Sequence, residues 1–290
     1  MALEFQHSTK NPLYPVSYLS FYAMHTRVEL VAVGLEESAG RDLAQRVEGE
    51  VKAMERRFNR FDDRSPLAVL NMRAAAEEME VDDNLFMALE LCEAFRRGTA
   101  GYFDVATNTV TGGAVSYSLN PERHTVRYTS PGVQLDMGGF AKGFALERVR
   151  TIVVESGAES ALINFGNSSV AAIGHHPYGE WWPVGVEHNR TAGVLSHEVH
   201  LCDGAMSVSG RTPRGEYHIV NPHTGGTVAG EELILVEGRS ALVSEVLSTA
   251  LYAAPRVERG AIMRGYEGYT ATELYCREGG TTEVRRVSEK

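Results

Sequence analysis

The order of strand-like and helix-like segments constrains the fold of this 290-residue chain more than any other feature of its sequence. The run "YLSFYAMHTRVELVAVG" is rich in β-branched and aromatic residues and predicts one or two strands. Apolar residues at helical spacing predict helices within residues 37–61 and 82–103. Between these segments, Ser65 and Pro66 are typical of an N-cap and a first helical position, which predicts a short helix.

In the second half, strand-like segments cluster around two helices. Short strands and turns are predicted from residue 110 to 135, a helix starts near Gly139, and strand-like segments run from residue 160 to 222, ending with "YHIVNP". The stretch "RSALVSEVLSTALYAA" predicts a helix, and residues 269–288 predict a final pair of strands. Because helices separate groups of hairpin-like strands, we predict an α+β fold with mixed, largely antiparallel sheets and packed helices. No repeat or linker is visible, so we expect one composite domain over residues 1–290.

Composition narrows the range of partners. A formal net charge of −10 argues against a nucleic-acid-binding surface, which needs a basic footprint, but it is compatible with a local cationic pocket for an anionic small molecule.

Three cysteines, Cys92, Cys202 and Cys276, are widely spaced and indicate neither a disulfide framework nor a zinc knuckle. No run of about 18 uncharged apolar residues predicts a membrane span. A secretory signal is not visible at the start, so we expect a cytoplasmic protein, with export left open for a trimmed chain.

The glycine-rich segment "LDMGGFAKGFALERV" stands between an apparent strand and a helix and contains Gly138, Gly139 and Gly143. Exposed backbone N–H groups at a helix start bind anions, and Lys142 adds a positive charge. The spacing matches neither the dinucleotide-binding fingerprint nor the P-loop. A tight turn that requires glycine explains the segment equally well.

The segment "VSGRTPRGEYHIVNPHTGG" combines hydroxyl, glycine and histidine side chains near a predicted turn. Gly210 permits close approach of the backbone to a ligand, and Ser207 and Ser209 precede it at alternate positions. His218 stands at a strand end before the turn and is a candidate base or phosphate donor. A structural histidine is the alternative.

An acidic residue next to an aromatic residue occurs in "AGYFDVATN", where Asp104 follows Phe103. This pair suits the binding of a nucleobase or a ribose. An aspartate that only organises a turn is an equally good explanation.

In the predicted helix "RSALVSEVLSTALYAA", Glu245 and Thr249 lie one helical turn apart on the same face. A carboxylate and a hydroxyl are hard oxygen ligands of the kind that Mg²⁺ binds together with substrate phosphates. Helical threonine also bonds to the carbonyl of the preceding turn, and a single glutamate is commonly exposed, so the spacing alone leaves both interpretations open.

Taken in order, six motifs between about residues 20 and 255 resemble those of the FAD:protein FMN transferase family, also called the ApbE family. The motifs are "FYAMHTRVEL", "FNRFDDRSPLAVLN", "GYFDVAT", "LDMGGFAKGFALE", "SVSG" with "HIVNPHTG", and "SEVLSTAL". Each motif is short, but six in the family's order argue against chance similarity.

The resemblance implies an α+β, T-fold-related enzyme that uses Mg²⁺ and FAD. Such an enzyme transfers the FMN half of FAD to a threonine or serine of an acceptor flavoprotein and releases AMP. By the resemblance, Glu245, Thr249 and the main-chain carbonyl of Gly139 hold Mg²⁺, Lys142 faces the pyrophosphate, and His218 is the base for the incoming hydroxyl. The implied FAD-binding residues are Met24, Phe61, Phe103, Asp104, Lys142, Ser207, Ser209, Gly210 and His218.

The chain also departs from the family pattern. The metal-binding aspartate of the family is Glu245 here, one methylene longer, and the family's Gly-Gly-Asp is Gly-Asn-Ser at residues 166–168. Two other functions are therefore kept as alternatives. One is the cleavage of FAD to FMN and AMP by water, and the other is FAD binding without turnover.

Overall fold

The computed structural model describes residues 2–106, 114–191, 193–210, 218–277 and 279–287. Thr107 of the motif "GYFDVAT" and Tyr217 of the predicted strand "YHIVNP" lie outside these ranges. The helices are α1 (Glu37–Phe58), α2 (Pro66–Arg73), α3 (Asp83–Gly98), α4 (Ala141–Glu155), α5 (Ala241–Ala253) and α6 (Arg256–Met263). The strands are β1 (Glu4–Ser8), β2 (Val16–Ala23), β3 (Thr26–Val33), β4 (Met79–Glu80), β5 (Tyr117–Asn120), β6 (Thr125–Tyr128), β7 (Ser160–Phe165), β8 (Ser169–Ile173), β9 (Trp182–Glu187), β10 (Leu195–Leu201), β11 (Ala205–Gly210), β12 (Leu233–Gly238), β13 (Thr270–Cys276) and β14 (Thr282–Arg286).

Three antiparallel sheets organise these strands. The largest has nine strands in the order β1-β2-β3-β7-β8-β11-β12-β13-β14, and two smaller sheets have the orders β4-β6-β5 and β10-β9. Every strand pair in the described ranges is antiparallel. The predicted α+β class with largely antiparallel sheets is confirmed. Within the same ranges, none of the helices has the length and apolar character that a bilayer crossing requires.

The nine-stranded sheet is covered on both faces, and the alternation of side chains along β11 shows how. Met206 packs in an apolar cluster with Trp182 and Val199 of the two-stranded sheet. The next residue, Ser207, points to the opposite face and bonds to a residue of α5. Because successive side chains on a strand point to opposite faces, β11 sends apolar side chains to one layer and hydroxyls to the other.

A two-residue turn joins β2 to β3 at one end of this sheet. Ala23 pairs with Thr26, and the two residues between them, Met24 and His25, have positive φ angles of 51° and 60°. Left-handed backbone at both central positions defines the hairpin turn whose twist matches that of the flanking strands. The turn therefore fixes Met24 at the end of the sheet.

Local signals explain where the sequence predictions succeed and fail. The Ser65 hydroxyl accepts a hydrogen bond from the backbone N–H of Ala68 at 3.0 Å, so the predicted cap is confirmed. The predicted strand "YHIVNP" is wrong, because the described part forms only an isolated bridge at Val220. The Asn221 side chain accepts from the N–H of His223 at 2.8 Å, which closes a turn in place of a strand.

Candidate functional site

A cavity of about 750 Å³ opens at the end of the nine-stranded sheet where β2 turns into β3 and β7 turns into β8. Ligand pockets typically measure about 300–1,000 Å³, so the cavity has the size of a cofactor site. The structure brings together ten of the residues predicted for the site. They are Met24, Phe103, Asp104, Gly139, Lys142, Ser209, Gly210, His218, Glu245 and Thr249.

Two predicted binding residues, Phe61 and Ser207, are not among the described residues that line the cavity. The Phe61 side chain is 75% exposed, and the guanidinium of Arg60 lies 4.6 Å from its ring centroid. Ser207 is buried beneath the cavity wall, where its hydroxyl donates to a Glu245 carboxylate oxygen at 2.9 Å. The turn at Phe61 thus directs the ring to solvent and away from the cavity wall, and Ser207 lies behind the wall, where it contacts Glu245.

Glu245 is a buried carboxylate and not an exposed acid. Only 3% of the residue is exposed, on a helix whose other side chains are mostly apolar. One oxygen forms an ion pair with Lys142 Nζ, and the other accepts from the hydroxyls of Ser169 and Ser207. Since an unpaired buried charge is costly, these partners are what allow a carboxylate in this position.

A row of hydroxyls connects Glu245 with Thr249 through β11. Ser248 Oγ lies 3.1 Å from Ser207 Oγ and 2.8 Å from Ser209 Oγ. Ser209 Oγ in turn lies 3.4 Å from Thr249 Oγ1. Ser207 and Ser209 occupy alternate positions of the strand and so share the face that meets α5. The acid and the threonine belong to one polar network.

The glycines of "GGFAKG" allow α4 to approach α5 closely. A β-carbon added at Gly139 would lie 3.3 Å from Thr249 Oγ1, which places the Gly139 backbone against the threonine. A β-carbon added at Gly143 would lie only 2.7 Å from Glu245 Cβ and 2.9 Å from Leu242 Cα. Contacts under 3.0 Å do not occur for real side chains, so the helix crossing itself requires glycine at position 143.

Asp104 lies in the cavity wall and is also buried. One carboxylate oxygen accepts from the backbone N–H of Ala106 at 2.8 Å, so Asp104 does organise a turn. The other oxygen is buried without a hydrogen-bond partner among the described residues. Burial raises the pKa of the Asp104 carboxyl above its ordinary value. A buried acid with one unsatisfied oxygen, on a residue that lines a cavity, is typical of a ligand contact.

Sequence analysis missed several residues that shape the site. Asp136 lines the cavity, accepts from the N–H of Gly138 at 2.9 Å and forms an ion pair with Arg60 at 3.2 Å. Its position at the start of "LDMGG" was an available signal. Ser169 and Asn189 carry no local sequence signal, because strand pairing and loop packing place them.

The charge distribution of the cavity defines a class of ligand. Within the described ranges, no group of three or more His, Cys, Asp and Glu side chains is arranged to hold a metal. The wall offers the ammonium of Lys142 paired with Glu245, three further acids (Asp104, Asp136 and Glu187), a row of hydroxyls and glycine backbone, together with apolar side chains such as Phe103 and Val208. This chain is therefore an α+β protein whose cavity combines one cation and glycine backbone for an anionic group, carboxylates for a cation or for hydrogen-bond donors, and apolar side chains for ring systems.

The ApbE family model matches residues 24–271, and the chain belongs to the ApbE family. Two relatives are each described as FAD:protein FMN transferase. The one from Rhodobacter capsulatus is 24% identical over 275 residues, which cover 81% of this chain and 51% of the relative. The one from Treponema pallidum is 23% identical over 260 residues, which cover 73% of this chain and 71% of the relative. The chain thus spans about half the length of the first relative.

Solved structures show the same fold. The ApbE protein from Thermotoga maritima superposes with a TM-score of 0.75 at 24% identity, covering 94% of this chain and 97% of that one. The flavin transferase ApbE from Vibrio cholerae gives a TM-score of 0.79 at 15% identity, covering 98% and 97%. The predicted family architecture is confirmed.

Proposed function

We propose that this protein is an FAD:protein FMN transferase, which moves FMN from FAD to a threonine or serine hydroxyl of an acceptor protein and releases AMP. The observation that carries the proposal is one cavity in a member of the ApbE family that joins Glu245, Thr249 and Gly139 to Lys142 and Asp104. The descriptions of the relatives support the same activity.

The donor set in the cavity fits Mg²⁺. Glu245 supplies a carboxylate, Thr249 a hydroxyl, and the Gly139 backbone lies against that hydroxyl. Mg²⁺ is commonly bound by one or two carboxylates together with substrate phosphates, so a single acid suffices. Glu245, Thr249 and the Gly139 carbonyl would hold the ion. When bound, it would neutralise negative charge on the pyrophosphate.

Lys142 has two roles in this proposal. In the structure its ammonium pairs with Glu245 and lies within 3.2 Å of the Ser169 hydroxyl. Lysine is a compact charge on a flexible stem, so Lys142 is able to exchange the carboxylate for a phosphate of the ligand. Phosphoryl transfer depends mainly on positioning and charge neutralisation, which this ammonium supplies.

His218 is the proposed base. It lines the cavity with an exposed side chain, where an incoming hydroxyl from another protein has access. The hydroxyl oxygen forms a bond to the phosphorus of the FMN half, and the bond from that phosphorus to the bridging oxygen breaks. The hydroxyl proton goes to the His218 imidazole, and AMP leaves with the bridging oxygen. The acceptor is joined to FMN by a phosphoester.

Incubation with FAD, Mg²⁺ and a threonine-containing acceptor peptide tests the proposal. Mass spectrometry is expected to show a peptide that has gained FMN, together with an equal amount of AMP. A peptide with alanine in place of threonine is the matched control and must stay unmodified. AMP with free FMN and no modified peptide would instead establish an FAD pyrophosphatase, and FAD bound without either product would establish a binding protein.

A further inference from the structure

An amide in the cavity wall has no role in the mechanism so far. Asn189 follows β9 in the chain, is only 5% exposed and lines the cavity. Its carbonyl oxygen Oδ1 is buried and has no hydrogen-bond partner among the described residues. Buried polar groups are nearly always satisfied, so an amide oxygen that is buried without a partner, on a residue that lines a cavity, points to a ligand that completes it.

The loop around Asn189 is held rigidly by its neighbour His188. The His188 Nδ1 atom accepts from the backbone N–H groups of Thr191 at 3.0 Å and Arg190 at 3.3 Å. Nε2 is therefore the protonated nitrogen, and it donates to the Thr281 carbonyl at 3.3 Å. The backbone on both sides of Asn189 is thus anchored before any ligand binds, which lowers the entropic cost of binding.

The cavity that Asn189 lines also has an apolar part. Its wall includes the side chains of Val186, Val208 and Leu233, which belong to a cluster between the two-stranded sheet and the large sheet. An apolar wall with one amide suits a flat ring whose edge carries both a hydrogen-bond donor and an acceptor. An ionised Asp104 only accepts hydrogen bonds, so it suits an amino or hydroxyl group.

We propose that Asn189 binds the pyrimidine edge of the flavin ring. That edge has an N–H group between two carbonyls, so Oδ1 accepts from the N–H and Nδ2 donates to a carbonyl. Asp104 then receives the adenosine half, whose amino and ribose hydroxyl groups are donors. This inference rests on the proposed function, since it assumes that FAD is the ligand. It makes Asn189 a specificity-determining residue for the flavin half alone.

The test compares the binding of FAD, FMN and ADP to the wild-type protein and to Asn189→Leu, by calorimetry. Loss of an amide's hydrogen bonds is expected to weaken FAD and FMN binding by about five- to tenfold and to leave ADP binding unchanged. Asn189→Asp keeps the acceptor and loses the donor, and it is expected to bind both flavins more weakly than wild type. Asn84→Leu, on α3 and not among the residues that line the cavity, is the matched control and is expected to bind all three ligands as wild type does.

Three outcomes separate this inference from the proposed function. Unchanged FAD binding by Asn189→Leu overturns the role of Asn189. An equal loss of ADP and FMN binding also overturns it, because the residue would then not read the flavin half. Failure of the wild-type protein to bind FAD contradicts the proposed function itself. Thermal unfolding of each variant shows whether the variant is folded.

Discussion

Two glutamates in this protein, Glu245 and Glu273, are buried, and different partners offset the cost of burying each carboxylate charge. Both are under 5% exposed. Glu273 receives hydrogen bonds from Arg259 at 2.7 Å, from Arg256 at 2.8 Å and from the Tyr275 hydroxyl at 3.0 Å. Glu245 is held by one lysine and by serine hydroxyls, and it faces a cavity. Glu273 is enclosed by its protein partners. Glu245 faces a cavity, so one of its partners can be exchanged for a ligand.

The chemistry of the cations explains the difference. The guanidinium of Arg259 bonds to Glu273 through one nitrogen and to Glu232 through another, each at 2.7 Å, and so ties α6 to β13 and to the residue that precedes β12. A planar guanidinium gives directional bonds that hold two carboxylates at once, whereas the ammonium of Lys142 is a point charge on a flexible chain. The arginine cluster therefore stabilises the fold, whereas under the proposed function Lys142 exchanges the carboxylate of Glu245 for a phosphate of the ligand.

The arginine cluster also controls the protonation of Glu273. Burial alone would raise the pKa of Glu273, but hydrogen bonds from Arg259 and Arg256 outweigh it and hold the pKa below the ordinary value. The ionised form of Glu273 therefore stabilises the fold above the ordinary glutamate pKa, and this contribution is lost as the pH falls through the lower folded-state pKa.

The largest expected effect is on stability and comes from Arg259→Met. The substitution leaves Glu232 and Glu273 buried without this cation, which is expected to lower the free energy of unfolding by about 3–5 kcal/mol. Urea denaturation measures the loss. FAD binding at low temperature, where the variant is still folded, is expected to be unchanged.

The matched control for Arg259→Met is Arg41→Met, which removes the exposed ion pair with Glu37. Exposed pairs contribute less than about 1 kcal/mol, so the control is expected to remain close to wild type. Equal destabilisation by the two variants would contradict a structural role for the buried cluster.

The next largest effect is on catalysis and comes from Glu245→Gln. The amide keeps the shape but removes the charge, so release of AMP from FAD in the presence of Mg²⁺ is expected to fall about 100-fold or more. Liquid chromatography of AMP measures the rate, and circular dichroism shows whether the variant is folded.

Glu273→Gln is the matched control for Glu245→Gln, because it makes the same change in the closed cluster. It is expected to lower stability and to keep the AMP release rate per folded molecule. If both variants lost activity to the same extent, the distinction between the two glutamates would be wrong.

A smaller effect is expected from Ser207→Ala, which removes one hydroxyl from Glu245. Hydrogen bonds to charged groups contribute about 1.5–3 kcal/mol, and two partners of the carboxylate remain, so a loss of about 1.5 kcal/mol in unfolding free energy is expected. Ser118→Ala, at an exposed position, is the control and is expected to change stability by less than about 0.5 kcal/mol. Equal values for both variants would remove Ser207 from the network.

The smallest effect has the opposite sign and comes from Asp104→Asn. Because burial raises the pKa of Asp104, its ionised form destabilises the fold at neutral pH. The neutral amide is expected to raise the unfolding free energy by about 1 kcal/mol at pH 7. This gain is expected to shrink as the pH falls toward the ordinary aspartate value of 3.8, where the wild-type carboxyl binds its proton. A gain in unfolding free energy that does not depend on pH would contradict the raised pKa of Asp104.

Local sequence signals predicted much of the fold. The cap at Ser65, the helical spacing that gave α1 and α3, and the β-rich run that gave β2 and β3 depend on neighbouring residues and need no tertiary information. The strand β12 was missed, although its sequence "LILVEG" is apolar. Because β12 is covered on both faces, it lacks the alternation that marks a half-buried strand.

The candidate site was less accessible to sequence reasoning. The pairing of Glu245 with Thr249 followed from helical geometry, but its partners Lys142, Ser169 and Ser207 come from three other elements. Their meeting depends on the strand order of the large sheet and on the crossing of α4 and α5. The residue spacing within any one segment does not predict that these side chains meet at Glu245. The family resemblance placed Lys142 and Ser207 in the site, but not Ser169.

The close approach of α4 and α5 has a consequence for how this protein tolerates substitution. Gly143 supplies no functional group, yet any side chain there would push against Glu245 Cβ and the Leu242 backbone. Such a push would move the helix that carries both Glu245 and Thr249, and so would misalign the two at once. In a saturation library selected for activity, position 143 is therefore expected to stay glycine as strictly as position 245 stays acidic.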